Sequence, residues 1–456
     1  MKFKSIIDSP CGMYFMLDTL ELQSGFSRRV LLESMMMTER EPIEESYRKL
    51  RVVYDVLVAD TSIETKTQLQ TIQFKLQGIR DIRRTIERTV SLQLDDIELF
   101  EIKHLAMLSE AISEMINRLG LLETKIIDLP NLKAVVEMLD PDSTQIASFY
   151  IYDSYSPELR AIRKRLKKDE GEFDEKLFFE ASILENKIRT NLSKRLTSYT
   201  ALLEQALIQL TFFDIYLAKA IQIQKFGLSF PHISADSKTA FKGLFNPEIR
   251  ELLQSKQKTY QPVDIDFQSK PILIIGANMG GKTVVLKTLT LSQYLFQFGF
   301  GIPAKKAEID IKKQIYLCMG DEQSTIEGLS SFAAEMKHID RIIAASRENE
   351  KIIALIDEPA RTTNPVEGTA LVSALIKVLQ PMNGNLLLTT HYNVATEKAK
   401  RLRVRGLENE KMNYELIETT DGEVPHEALH IAETLGIDAE WISEAKKILD
   451  HRNINE

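Results

Sequence analysis

The segment Gly276-Ala277-Asn278-Met279-Gly280-Gly281-Lys282-Thr283 gathers glycines, a lysine and a hydroxyl in the order G-x-x-x-x-G-K-[ST]. Glycines let backbone N–H groups approach phosphate oxygens closely, and a helix starting behind them adds positive potential. Lys282 offers a point charge to β- and γ-phosphates, and the Thr283 hydroxyl can take a position on Mg²⁺. Further along, the apolar run Ile352–Ile356 ends in Asp357-Glu358. An aspartate at the tip of a buried strand can hold Mg²⁺ through water, and a neighbouring glutamate can polarise an attacking water. A third run, Leu386-Leu387-Leu388-Thr389-Thr390, is followed by His391, placed to sense or stabilise a γ-phosphate. Taken together these residues predict MgATP binding and hydrolysis, with Glu358, His391 and Lys282 as the catalytic set and Thr283 and Asp357 at the metal.

Such side chains must be held at strand ends. Pro271–Ile275 (PILII) reads as a short buried strand and Val284–Phe296 as an amphipathic helix, so the glycine loop has a strand–loop–helix setting. The part before it is different in kind. From about Met13 to Phe226 the chain carries long helical patterns and few glycines. In Ala201–Phe226, Leu203, Leu207, Leu210, Phe213, Leu217 and Ile221 recur at spacings of three and four, with Phe212 and Tyr216 widening the apolar stripe. Ser156-Pro157-Glu158 reads as a helix start, and the densely charged stretch that follows, to Arg195, as a solvated helical hairpin. Phe149–Tyr155 (FYIYDSY) predicts a short strand or buried connector, and Met35-Met36-Met37 adaptable core packing. Residues 227–261 hold prolines and glycines without a long period and read as a joint.

Composition bounds the rest. The 456 residues are 44% hydrophobic and 27% charged, which excludes a wholly disordered or fibrous chain. Two cysteines, Cys11 and Cys318, exclude a disulfide framework or a Cys-rich zinc site. No uninterrupted apolar run spans a bilayer and no signal peptide is evident, so the expectation is a soluble cytoplasmic protein with no membrane partner. The net charge of −8 lacks the global basic footprint of a nucleic-acid binder.

The motifs resemble those of the MutS-like ATPases of the ABC superfamily. The loop GANMGGKT is close to that family's GPNMGGKS-type loop, with Ala277 where proline is usual. The tract Asp357–Gly368 looks like its Walker B and D-loop, and His391 matches its switch histidine. Gly320–Ser324 and Leu329–Met336 resemble its signature region, nearest to the branch that often carries a C-terminal Smr nuclease. The resemblance implies an ABC-type P-loop α/β domain at residues 262–426, a helical dimerisation segment at 427–456, and an all-α core with lever helices at 1–226, joined by 227–261. It implies ATP contacts from Gly276, Asn278, Met279, Gly280, Gly281, Lys282, Thr283 and Val284, and from Ser330 of the partner subunit in a homodimer or MutS-like heterodimer. Tyr260, just before the first strand of that domain, is a candidate for stacking on adenine, with an ordinary core or surface role equally open. Arg361 would belong to the dimer-facing loop.

Three departures from the family bear on the client. The helical part begins almost at Met1, with no Phe-x-Glu wedge in that position. The stretch Lys168–Asn191, where other members insert a DNA clamp, stays charged and helical, and the chain stops at Glu456 without an Smr segment. Two readings follow. One is a MutS-type ATPase switch that binds mismatched or distorted DNA. The other is a reactivase that remodels an adenosylcobalamin-dependent amino acid aminomutase without touching DNA; the tract Phe149–Leu159 is reminiscent of that clamp-less group.

Overall fold

The computed structural model describes all residues except 61, 92–93, 122–123, 125, 147, 168–173, 268–269, 277–280, 321–330, 393, 395–396, 409–410, 420–431, 433–435 and 454–456. The chain divides into two compact units, one of residues 1–19, 35–47 and 225–456, the other of residues 20–34 and 48–224.

The second of these is helical. Its longest wholly internal helices are Asp96–Arg118 and Glu175–Leu196, and Thr200–Phe226 contributes as far as residue 224. Asp95 starts the first of them with a capping box. Its carboxylate accepts from Glu98 N–H at 2.8 Å, while the Glu98 carboxylate accepts from Asp95 N–H at 3.0 Å. The apolar spacing then puts Leu99, Ile102, Ala106, Ile112 and Ile116 in the core. In Thr200–Phe226 the expected stripe of Leu203, Leu207, Leu210, Phe213 and Leu217 is buried, but Phe212 does not widen it, being 44% exposed, and Ile221 and Tyr216 are only half-buried. Among the described residues one helical run, Glu175–Phe226, is long and apolar enough by composition to cross a membrane, although Asp214 and Lys219 interrupt it. Its most apolar window is 72% buried inside the fold, where Asp214 accepts from the backbone N–H groups of Gln23 and Ser24 at 3.0 Å. Phe149–Tyr155 forms no strand; it is an extended connector ending in a single 3₁₀ turn, with Tyr152 fully buried.

The other unit is α/β and holds two sheets. Strands β1 (His232–Ile233), β2 (Thr239–Leu244), β3 (Val263–Phe267) and β5 (Lys306–Ile309) form a mixed sheet in the order β1-β5-β2-β3. Strands β4 (Ile272–Ile275), β6 (Gln314–Met319), β7 (Ile352–Asp357), β8 (Gly384–Thr390), β9 (Lys400–Glu408) and β10 (Lys411–Glu418) form the larger one, in the order β10-β9-β4-β8-β7-β6. All its pairings are parallel except the β9–β10 hairpin. Parallel strands covered on both faces must be apolar throughout, and β4 and the body of β7 are continuously buried. One face packs Leu273, Ile275, Ala354, Ile356 and Leu388 against helices Ser331–Arg347 and Pro365–Leu379. Helix Lys282–Gln297 lies along β6, β7 and β8.

Two differences from the expected boundaries stand out. Residues 227–261 are not a mere joint, because they supply β1, β2 and helix Pro247–Ser255 to the α/β unit. Alternation of apolar residues in Thr239–Leu244 is only three or four residues long, too short to outweigh the flanking prolines and glycines when read alone. The N-terminal residues also belong to the α/β unit rather than to the helical one. Phe3 packs against the rings of Phe298 and Phe300 at 5.0 and 5.7 Å. Met37 N–H donates to Gln297 O at 2.9 Å, and the Tyr47 hydroxyl donates to Phe300 O at 2.7 Å. Of the methionine cluster, Met36 is buried while Met35 is exposed.

Candidate active site

The parallel register sets the carboxyl ends of β4, β8 and β7 side by side, with Ile275 beside Thr390 and Ile356 beside Leu388. Loops leaving those ends in an open parallel sheet are where ligands bind. The glycine loop leaves β4 at Gly276, whose φ of +137° requires glycine, and re-enters helix at Gly281, the N-cap, with φ of +73°. A Cβ on Gly281 would also come within 3.3 Å of the Tyr414 ring. Gly276, Gly281, Lys282, Thr283 and Val284 fall within the described residues; Asn278, Met279, Gly280 and Ser330 lie outside them, as does most of the signature stretch.

Lys282 is buried at the first position of its helix. Its ammonium donates to Gly276 O at 2.5 Å and stands 3.1 Å from Glu358 Oε1. Thr283 Oγ1 donates to Asp357 Oδ2 at 2.7 Å. Val284, half-buried, accepts from Thr288 Oγ1 through its carbonyl at 2.6 Å. Asp357 ends β7, and its other oxygen, Oδ1, accepts from Thr389 Oγ1 at 2.5 Å. The same Thr389 oxygen accepts the Glu358 N–H at 3.0 Å, so one hydroxyl ties the aspartate side chain to the glutamate backbone. His391 follows β8, and its Nδ1 is buried with no hydrogen-bond partner among the described residues. Its ring lies 4.2 Å from that of Tyr392.

The backbone beyond Asp357 is unusual. Glu358 has φ of +44° and Ala360 φ of +61°, both in the left-handed region that side chains disfavour. Ala360 N–H donates to Glu335 Oε1 at 3.2 Å, and Ala360 O accepts from the Tyr392 hydroxyl at 2.7 Å. Burial pushes the Glu335 carboxyl up in pKa, against the Ala360 N–H and the Arg361 charge, and burial also raises the Tyr392 hydroxyl. Arg361 is half exposed, 4.0 Å from Glu358 Oε2.

Thr389, Glu335 and Tyr392 were not singled out from sequence. A hydroxyl in the Thr389-Thr390-His391 run was a usable signal; Glu335 and Tyr392 gave none, since their partners are distant in the chain. Tyr260 is half-buried, with its hydroxyl accepting Asn246 N–H at 3.1 Å and its pKa raised by burial. It thereby holds Asn246, whose own side chain caps helix Pro247–Ser255 by accepting Ile249 N–H at 3.2 Å.

The donor set suits MgATP. A hydroxyl and a carboxylate of Thr283 and Asp357 are hard oxygen donors of the kind Mg²⁺ takes, together with waters and phosphate oxygens. Among the described residues no cluster of three His, Cys, Asp or Glu forms a dedicated metal cage. The unpartnered His391 nitrogen and the glycine-bounded loop mouth supply donors for phosphate oxygens.

Residues 272–451 match the family model of MutS domain V. The chain is 30% identical over 400 residues to Endonuclease MutS2 of Caldicellulosiruptor bescii, covering 85% of this chain and 47% of that protein. It is 29% identical over 418 residues to Endonuclease MutS2 of Caldicellulosiruptor saccharolyticus, covering 89% and 49%. Endonuclease MutS2 of Ligilactobacillus salivarius is 33% identical over 208 residues, covering 45% and 26%. The chain thus spans about half the length of the first two relatives. With the domain match lying over the strands and loops just described and the similarity to MutS2 proteins continuing across the helical unit, the chain belongs to the MutS family.

Proposed function

We propose that this protein is an ATP hydrolase whose cycle switches the conformation of a dimer. The observation that carries the reading is the convergence of Lys282, Thr283, Asp357, Glu358, Thr389 and His391 at three neighbouring strand ends, with Lys282 only 3.1 Å from Glu358. The reaction is ATP and water to ADP and phosphate. Lys282 and the backbone of the glycine loop from Gly276 to Val284, with Asn278, Met279, Gly280 and Gly281, hold the phosphates. Thr283 and Asp357 hold Mg²⁺, which neutralises charge on the phosphate oxygens. Glu358 takes the proton of the attacking water, and Thr389 keeps its backbone and Asp357 in register. His391 donates to the γ-phosphate, and Ser330 of the partner subunit completes the pocket. Each subunit then hydrolyses poorly alone, and ATP acts as the tie between two copies. Tyr260 remains a candidate for the adenine, secondary to its role at Asn246.

A nucleic-acid client is supported by the name shared by the relatives, Endonuclease MutS2. That name gives no support to an aminomutase client. The test has two parts. Phosphate release and the mass of the particle with and without a non-hydrolysable ATP analogue examine the switch; a strictly monomeric, inactive chain sinks it. Gel shifts on homoduplex, mismatched and branched DNA at two salt concentrations examine the client. Binding that weakens steeply with salt is expected from phosphate contacts, and absence of binding at low salt removes DNA as the client.

A further inference from the structure

The strained turn after Asp357 is held by side chains, not by glycine. Glu358 and Ala360, both left-handed, flank Pro359, and the two hydrogen-bonding groups of Ala360 are each taken by a buried side chain from elsewhere. Glu335 comes from the first turns of helix Ser331–Arg347, at the end of the signature stretch. Tyr392 comes from the residue after His391 and is itself fixed, its N–H donating to Thr390 Oγ1 at 3.0 Å. Helix Pro365–Leu379 is shaped around the tyrosine, because a Cβ on Gly368 would lie 2.4 Å from Tyr392 Cζ and from its hydroxyl.

We propose that Glu335 and Tyr392 are positioning residues for hydrolysis: they clamp the Ala360 peptide in its left-handed conformation and so hold the Glu358 carboxylate in place, joining the signature helix, the Walker B turn and the switch histidine into one linkage. This rests on the nucleotide reading above. The physical argument is one of compensation. A residue with a Cβ disfavours the left-handed region, so the clamp supplies what a glycine would supply by itself. When one arm is cut, the turn relaxes toward negative φ and the carboxylate at Glu358 leaves its position near Lys282. Both arms are also levers. A shift of His391 moves Tyr392, and a shift of the signature helix moves Glu335, and each reaches the same peptide.

The decisive experiment is a cycle with Ala360→Gly. Tyr392→Phe keeps the ring and removes the hydroxyl; it should lower kcat about tenfold, with KM for ATP changed less than about twofold, since a preference of this size is what one left-handed Cβ imposes. Combined with Ala360→Gly, the same substitution should cost about threefold or less, because glycine adopts the turn unassisted. Glu335→Gln, which keeps an acceptor oxygen, should retain more of kcat than Glu335→Leu. Equal losses with and without Ala360→Gly in a chain that hydrolyses ATP overturn the clamp and leave the nucleotide reading standing. A parent chain that neither binds nor hydrolyses ATP overturns that reading and the positioning role with it. Should Tyr392→Phe fail to fold, the Glu335 pair tested with and without Ala360→Gly reads the other arm of the clamp, and indifference to the glycine there overturns it equally.

Discussion

Each unit buries a lysine against a carboxylate, and the two arrangements do opposite things. In the helical unit the Lys103 ammonium donates to Asp140 Oδ1 at 3.1 Å, to the Tyr152 hydroxyl at 2.9 Å and to Ser148 O at 3.3 Å. Asp140 further accepts from Thr144, Tyr152 and Gln145 N–H. Burial alone would raise that carboxyl, but these hydrogen bonds and the ammonium hold it far below the usual carboxylate range. All the donors of the lysine are spent inside the fold, and the cluster staples the connector 140–155 to helix Asp96–Arg118. In the α/β unit Lys282 and Glu358 instead meet at loop ends, one beside glycines and the other on a left-handed backbone. The same residue types are structural where every donor of the lysine is closed inside the fold, here between a helix and a connector. They are fit for chemistry where the partners sit on turns that can exchange one oxygen for another.

Paired substitutions separate the two. Lys103→Ala should lower the stability of the helical unit by about 3–5 kcal/mol, as removal of one buried partner strands the other, while ATP binding persists. Lys282→Ala should do the reverse, weakening ATP binding by about 100-fold or more at a smaller stability cost. Urea unfolding and titration with a fluorescent nucleotide measure both, and losses of the same kind in both variants break the comparison.

A second buried lysine of the helical unit, Lys219, sharpens it. Burial lowers its pKa from 10.5 to about 7. Between those values the unfolded chain holds a proton that the folded chain has released, so stability rises with pH across roughly 7 to 10, by about 3 kcal/mol. The rise should vanish in Lys219→Met. A flat profile in the parent would mean that burial does not shift the ammonium in the fold.

Within the α/β site, Glu358→Gln should bind ATP as the parent does yet release phosphate about 100-fold more slowly in single-turnover assays. Thr389→Val removes the hydroxyl between Asp357 and Glu358 and should lower turnover about tenfold, with Thr389→Ser restoring most of it. If the valine variant is fully active, the hydroxyl is ornamental and the site is set by the backbone alone.

What could be read from the sequence follows contact range. The glycine loop, the Asp357-Glu358 pair and His391 announce themselves because each motif is short and sits against its own strand. The β-strands carrying them are four to seven residues long and built on apolar runs of three to five, and these too are local. Lys103 and Asp140 are 37 residues apart, and Glu335 and Ala360 are 25 apart, with nothing periodic between them, so neither pairing is inferable from spacing. The aromatic tract FYIYDSY, whose residue types left a short strand and a buried connector both open, is the connector, and it delivers the Tyr152 hydroxyl to Lys103 and Asp140. The left-handed turn at Ala360 was hidden, since glycine is the usual sign of such a turn and here hydrogen bonds stand in for it.

The docking of Phe3 on Phe298 and Phe300 also has a consequence for how the protein is made. Roughly 300 residues separate those partners in the chain, and at ribosomal speeds of about 5–20 residues per second the wait is on the order of tens of seconds. Through that interval the helical segment can complete its own core, while the newborn N-terminal stretch keeps apolar rings without a berth.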